Sequence, residues 1–168
     1  MLELILKLNR LLIKILEITV MLVMGILVCD VLWGVFSRKV IQHQSSWTEE
    51  LARMLLVWVS LLGASIGFIR GSHLGVDYFV GKLSVKMQTI CKIVVYLLVA
   101  FFTAVVMIYG GIRLVVSTFQ ADQVLQALRI KVWYVYLVVP ISGFFIFVFS
   151  IETIIKNSSF LSRKSDNK

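Results

Sequence analysis

The chain has 168 residues, 60% of them hydrophobic and 15% charged, with a formal net charge of +8. Soluble domains average about 45–50% apolar and about 25% charged residues, so this composition excludes an ordinary soluble domain and a disordered chain. Two cysteines and one proline exclude a disulfide scaffold and a collagen-like or linker-rich chain. What remains is an all-α integral membrane protein with room for four helices of about 20 residues each.

Residues 1–14 are amphipathic. Leu4, Leu8, Leu11 and Leu12 share one side, and Lys7, Arg10 and Lys14 lie elsewhere. This segment suits a short helix lying on the membrane surface or leading into the first span. It does not read as a cleaved signal peptide, because the apolar run behind it is long, lacks a small-x-small site and closes on Arg38 and Lys39. The first span is expected at 15–37 and holds Asp30. The second is expected at 47–69, entered through Trp47, Glu49, Glu50 and Arg53. The third and fourth are expected at 93–112 and 132–151, each free of charge inside. Continuous apolar runs of this length fit membrane helices and not the alternation of a β-barrel.

Between spans two and three, Val76, Phe79, Leu83, Met87 and Ile90 recur at helical spacing, with Lys82 and Lys86 off that face. An amphipathic helix over 74–91, with Asp77 as a possible N-cap, is the expected structure. The stretch 117–123 reads as a polar break before span four. Trp133, Tyr134 and Tyr136 read as an interfacial belt, and Pro140 is expected to kink the fourth helix. Residues 157–168 form a polar tail, and the whole chain reads as one four-span domain.

Four spans put both termini on one side. That side carries eleven of the basic residues, from Lys7 to Lys168, and the other carries six: Arg38, Lys39, Arg53, Arg113, Arg129 and Lys131. The positive-inside rule places the termini in the cytoplasm. It also accounts for the net charge, so no nucleic-acid partner is expected.

No catalytic constellation emerges. Cys29 and Cys91 are single, His43 and His73 lack metal-ligand spacing, and no serine stands in a nucleophile motif. The chain is expected to be no enzyme and to need no cofactor or metal. Asp30 is the sharpest residue, since an acid at membrane depth is functional by default. It reads as one member of an intramembrane charge pair with Arg53, which reaches similar depth on the antiparallel second span. The other readings are an ion site or an acid that reaches water. Glu49 and Arg53 are four apart with the acid first, the favourable order. Ser60, Gly63 and Gly67 form a small-residue stripe for close helix packing, within the chain or against a partner.

The stretch Trp47, Glu49, Glu50, Arg53, continuing through Gly63 and Ala64 to Arg70, His73 and Asp77, resembles the small membrane subunit, DctQ type, of tripartite ATP-independent periplasmic (TRAP) transporters. The W-x-E-E-x-x-R entry, the mid-span L-G-A and the R-x-x-H-x-x-x-D ending keep the family's order and spacing. The stretch 30–37 is most similar to sialic-acid systems. The resemblance implies a scaffold subunit in the bacterial inner membrane. Its partners would be a large multi-span transport subunit, a periplasmic substrate-binding protein and membrane lipids, in sodium-driven uptake of organic acids. It also implies structural or subunit-contacting roles for these motif residues. The rival reading is a self-sufficient homodimeric transporter that uses Asp30 as its ion site.

Overall fold

The computed structural model describes residues 2–42, 46–70 and 85–165, with side chains over 11–42, 46–70 and 87–155. Helix α1 runs Leu2–Phe36 and passes into a π-helical turn, Ser37–Ile41, which stops at Gln42 in the left-handed conformation. Helix α2 is Ser46–Ile69. Helix α3, Val85–Phe102, continues through a π-helical segment, Thr103–Gly110, into α4, Gly111–Gln120. A short α5, Trp133–Tyr136, precedes α6, Val138–Ser165.

Among the described residues, four helical stretches are long and apolar enough to cross a membrane: Leu11–Ile41, Ser46–Ile69, Met87–Gln120 and Trp133–Ile155. Only 11–22% of each one's apolar window is buried inside the chain. Most of their side-chain surface therefore faces outward, which suits lipid or another protein and not water.

The boundaries teach where polar residues fail as punctuation. Of the two forms expected for the N-terminal amphipathic segment, the structure has the one that leads into the first span: backbone helix runs unbroken from Leu2. The break expected at 117–123 starts later, because α4 extends to Gln120. Ser117 and Thr118 donate their hydroxyls to the Leu114 carbonyl at 2.9 and 2.7 Å, so they satisfy themselves within the helix. The amphipathic helix expected over 74–91 lies outside the described residues up to position 84. From Val85 onward the chain is already part of α3. Helix α6 continues through Ser165, into the expected polar tail.

The chain divides into two compact units. Unit one holds Met1–Ile66 and Leu114–Val138; unit two holds Gly67–Arg113 and Val139–Lys168. In unit two the close contact is made by glycine and proline. A Cβ at Gly143 would lie 2.6 Å from Met107 Cβ, and one at Gly111 would lie 3.0 Å from Pro140 Cδ. Backbone approach of this kind is what small residues permit in membrane helices. Phe68 adds edge-to-face contacts with Tyr96 and Phe149, at 5.5 and 6.3 Å between centroids. Thr103 opens the π-helical segment, and its buried hydroxyl is shared between the carbonyls of Val99 (2.8 Å) and Ala100 (3.1 Å).

Leu137, between α5 and α6, keeps a helical backbone and donates its N–H to Trp133 O at 3.1 Å. The ladder breaks just beyond it, where Pro140, in the first turn of α6, follows three residues on. A proline has no N–H to give to the carbonyl four residues back, and in a first turn no such bond is needed.

Candidate subunit-contact site

The entry of α2 carries Glu49 and Glu50, and the two acids have distinct occupations. Glu49 stands in the first turn, where an acid suits the helix dipole. Its Oε1 accepts a bond from Arg38 Nη2 at 3.2 Å, with both side chains about half exposed or more. Glu50 reaches much farther along the chain. Its Oε2 accepts the backbone N–H groups of Ala127 and Leu128 at 2.9 and 3.0 Å.

Those two amides sit at the tip of a small hairpin after α4. Leu125 N–H donates to Ile130 O at 2.8 Å, Val132 N–H donates to Gln123 O at 3.0 Å, and Val124 pairs antiparallel with Lys131. Asp122 and Arg129 take left-handed backbone conformations that let the chain turn, with φ of 48° and 54°. Lys131 Nζ meets Asp122 Oδ1 at 3.0 Å and lies 5.9 Å from the Phe119 ring centroid. Trp133 stacks on Tyr134 and meets Phe119 edge-on. Glu50 thus fastens the connection before span four to the entry of span two.

The expected Asp30–Arg53 pair is not formed. Asp30 is 6% exposed, and neither of its carboxylate oxygens has a hydrogen-bond partner among the described residues. Arg53 is exposed. Of the neighbouring acids, Glu49 meets Arg38 and Glu50 accepts from the hairpin amides. Similar depth on antiparallel helices fixes height but not azimuth, and Arg53 turns to the exterior. One side chain of α2 that does meet α1 is Thr48, buried where Gly34 leaves room: a Cβ on Gly34 would lie 3.3 Å from Thr48 Oγ1.

Trp47 is exposed at the same entry, as is Ser60 farther along α2. A Cβ at Gly63 or at Gly67 would meet nothing within 4 Å among the described residues. The small-residue stripe therefore makes no tight contact inside the described chain. Arg70 ends α2 in an exposed turn; His73 and Asp77 lie outside the described residues. No group of three His, Cys, Asp or Glu side chains gathers among the described residues.

Sequence reasoning missed the Glu50–hairpin contact, Thr48, and the close-packing glycines Gly111 and Gly143. The Gly110-Gly111 pair opposite the only proline was the available signal for the last two.

The family described as tripartite ATP-independent periplasmic transporters, DctQ component, matches residues 26–159. The chain belongs to the DctQ family. This is a family of transporter membrane subunits and not of enzymes. The chain is similar to the sialic acid TRAP transporter small permease protein SiaQ of Vibrio cholerae, 33% identical over 72 residues, covering 43% of this chain and 42% of that one. It is similar to the C4-dicarboxylate small permease protein DctQ of Rhodobacter capsulatus, 27% identical over 97 residues, covering 58% and 42%. It is also 33% identical over 91 residues to the sialic acid TRAP transporter permease protein SiaT of Haemophilus influenzae, covering 54% of this chain but 14% of that one. The matched stretches thus span less than half of each relative.

Proposed function

We propose that this chain is the small inner-membrane subunit of a binding-protein-dependent, sodium-driven transporter for an organic acid. It acts as scaffold for a large transport subunit and holds no substrate site of its own. The observation that carries this reading is the Haemophilus permease, in which the stretch similar to this chain is 14% of a much longer polypeptide. A DctQ-like segment joined to a large permease in one chain argues that the two act as one assembly. The outward apolar surface of all four spans supports the same reading, since a second membrane protein needs such a surface to lie against. Sialic acid is the first substrate class to try, because two of the similar relatives carry that name.

On this reading the stripe Ser60, Gly63 and Gly67 faces the large subunit, and Trp47, Arg53, Arg70, His73 and Asp77 contribute to contacts around it. Glu49 and Glu50 order the entry of α2. Both termini lie in the cytoplasm, as the distribution of basic residues argues. A cysteine placed at Gln120 is then labelled by impermeant reagents only from outside, and labelling only from the cytoplasmic side overturns the topology.

Co-expression with a large TRAP permease, purification in mild detergent and uptake in proteoliposomes test the role. Uptake is expected to need both membrane chains together with the binding protein, and to need sodium. Substrate uptake by this chain alone would instead establish the homodimeric reading built on Asp30. Failure of any large membrane protein to co-purify would also overturn the scaffold role.

A further inference from the structure

The corner where the entry of α2 meets the hairpin has more cations than carboxylates to hold them. Arg38 meets Glu49, Lys131 meets Asp122, and Glu50 accepts from the amides of Ala127 and Leu128. Among the described residues this leaves Arg53 and Arg129 without an acid, both exposed. Lys39, exposed beside Arg38, adds to the same positive field.

The Glu50 contact brings the two arginines to one place. Arg53 lies three residues after Glu50, and residues three apart on a helix have Cβ atoms about 5–6 Å apart. Arg129 directly follows Leu128, whose N–H stands 3.0 Å from Glu50 Oε2. The path from Arg53 Cβ to Arg129 Cα through that contact is at most about 17 Å, which two extended arginines with a phosphate between them can close.

Arg129 also sits in a backbone conformation that suits it poorly. Its φ is 54°, where glycine or asparagine is strained less. Its N–H closes the turn on Leu125 O at 2.9 Å, so the fold uses its backbone and leaves its side chain idle. Strain kept for an idle cation points to a use outside the chain.

Depth selects the partner. Helix α2 has 24 residues and is itself a candidate span. At about 36 Å it exceeds the hydrocarbon core of about 30 Å only slightly, so Arg53, seven residues in, starts below the headgroups and rises to them along the helix. A soluble acidic protein stays above that level, whereas a lipid phosphate lies at it. Trp47 and Tyr134, both exposed, are the aromatic residues of such an interface. We propose that Arg53 and Arg129 clasp the phosphate of one anionic phospholipid beside the Glu50 anchor. Guanidinium groups suit phosphate oxygens, and a lipid with net negative charge offsets both cations where a zwitterionic one does not. The inference rests on unit one alone and stands apart from the transport reading.

The test is the thermal unfolding midpoint of the purified, delipidated full chain in mild detergent, followed by tryptophan fluorescence. Phosphatidylglycerol is titrated in parallel with phosphatidylcholine, inorganic phosphate and polyglutamate. Phosphatidylglycerol is expected to raise the midpoint saturably, and the other three to raise it little. Arg53→Gln and Arg129→Asn should each raise the half-saturating phosphatidylglycerol concentration about fivefold, and together abolish the preference over phosphatidylcholine. Arg129→Asn should at the same time raise the lipid-free midpoint, because the turn relaxes. Equal responses to the two lipids overturn the proposal, and so does a double variant that keeps the preference. Half-saturation by inorganic phosphate at the same concentration identifies a free-anion site instead, and an equal response to polyglutamate identifies an acidic protein surface; either result overturns the lipid assignment. Should Arg53→Gln fail to fold, an unchanged half-saturation in Arg129→Asn overturns it.

Discussion

The two units hold themselves together by different chemistry. Unit one is tied by polar groups acting at long range in sequence, above all Glu50 on the amides of Ala127 and Leu128. Unit two is tied by shape, with Gly143 against Met107, Gly111 against Pro140, and Phe68 between Tyr96 and Phe149. In a membrane, polar ties fix register where water is near, and close backbone contact supplies dispersion where it is not. Substitutions should therefore act differently in the two units: by volume in one, by lost acceptors in the other.

The sharpest break is expected in unit two. Gly143→Ala puts a Cβ 2.6 Å from Met107 Cβ, an atom too close to the backbone to swing aside. Overpacking of this kind costs about 1–3 kcal/mol, and Gly143→Leu should cost more. Circular dichroism melts in detergent measure both. Gly111→Ala should be milder, since its nearest neighbour would be 3.0 Å away.

Next comes the polar tie. Glu50→Ala leaves two amides without their charged acceptor and should cost about 2 kcal/mol, the partial exposure of the tip softening the loss. Hydrogen exchange at Ala127 and Leu128 should speed up while amides within α6 keep their rates. Equal acceleration in both places would show that the hairpin is not an independently fastened element. Glu50→Lys should do more harm than Glu50→Ala, through internal misfastening before any effect on a partner.

Smaller still is Glu49→Gln. It removes the charge from an exposed pair with Arg38, and such pairs contribute below about 1 kcal/mol. The pair's salt dependence in the same melts is the check. Least of all are Gly63→Ala and Gly67→Ala. With no described atom within 4 Å of the added Cβ, the chain's own stability should hold or rise by up to about 1 kcal/mol from helix propensity. If the stripe faces the large subunit, Gly63→Leu and Gly67→Leu should nonetheless reduce co-purification. Full recovery of the complex with both leucines would exclude that face.

The four spans were legible because hydropathy over twenty residues is a one-dimensional property. Their ends were less so: Ser117 and Thr118 look like loop residues until their hydroxyls are seen to serve the helix itself. Asp30 was legible as unusual but its surroundings were not, because depth can be counted along a helix while the facing side depends on packing. The glycines show the same limit. Gly63 and Gly67 match a spacing and meet nothing within 4 Å, whereas Gly111 and Gly143 belong to no such pattern and make the close contacts. Glu50 was assigned to a helix start, correctly as to place, but its partners are amides 77 and 78 residues away that carry no side-chain signature.

That last contact sets what the hairpin tip can become. Glu50 recognises main-chain N–H groups, and nineteen of the twenty residue types supply the same N–H. The tip can drift in sequence at 127 and 128 without loosening its anchor, with proline as the sole forbidden letter. At 129, where φ is 54°, glycine or asparagine would relax the turn that arginine now strains. The carboxylate has no such latitude: aspartate is too short to span the gap, and glutamine offers a weaker acceptor. Invariance should therefore concentrate on the one acid, and variety on the loop it holds.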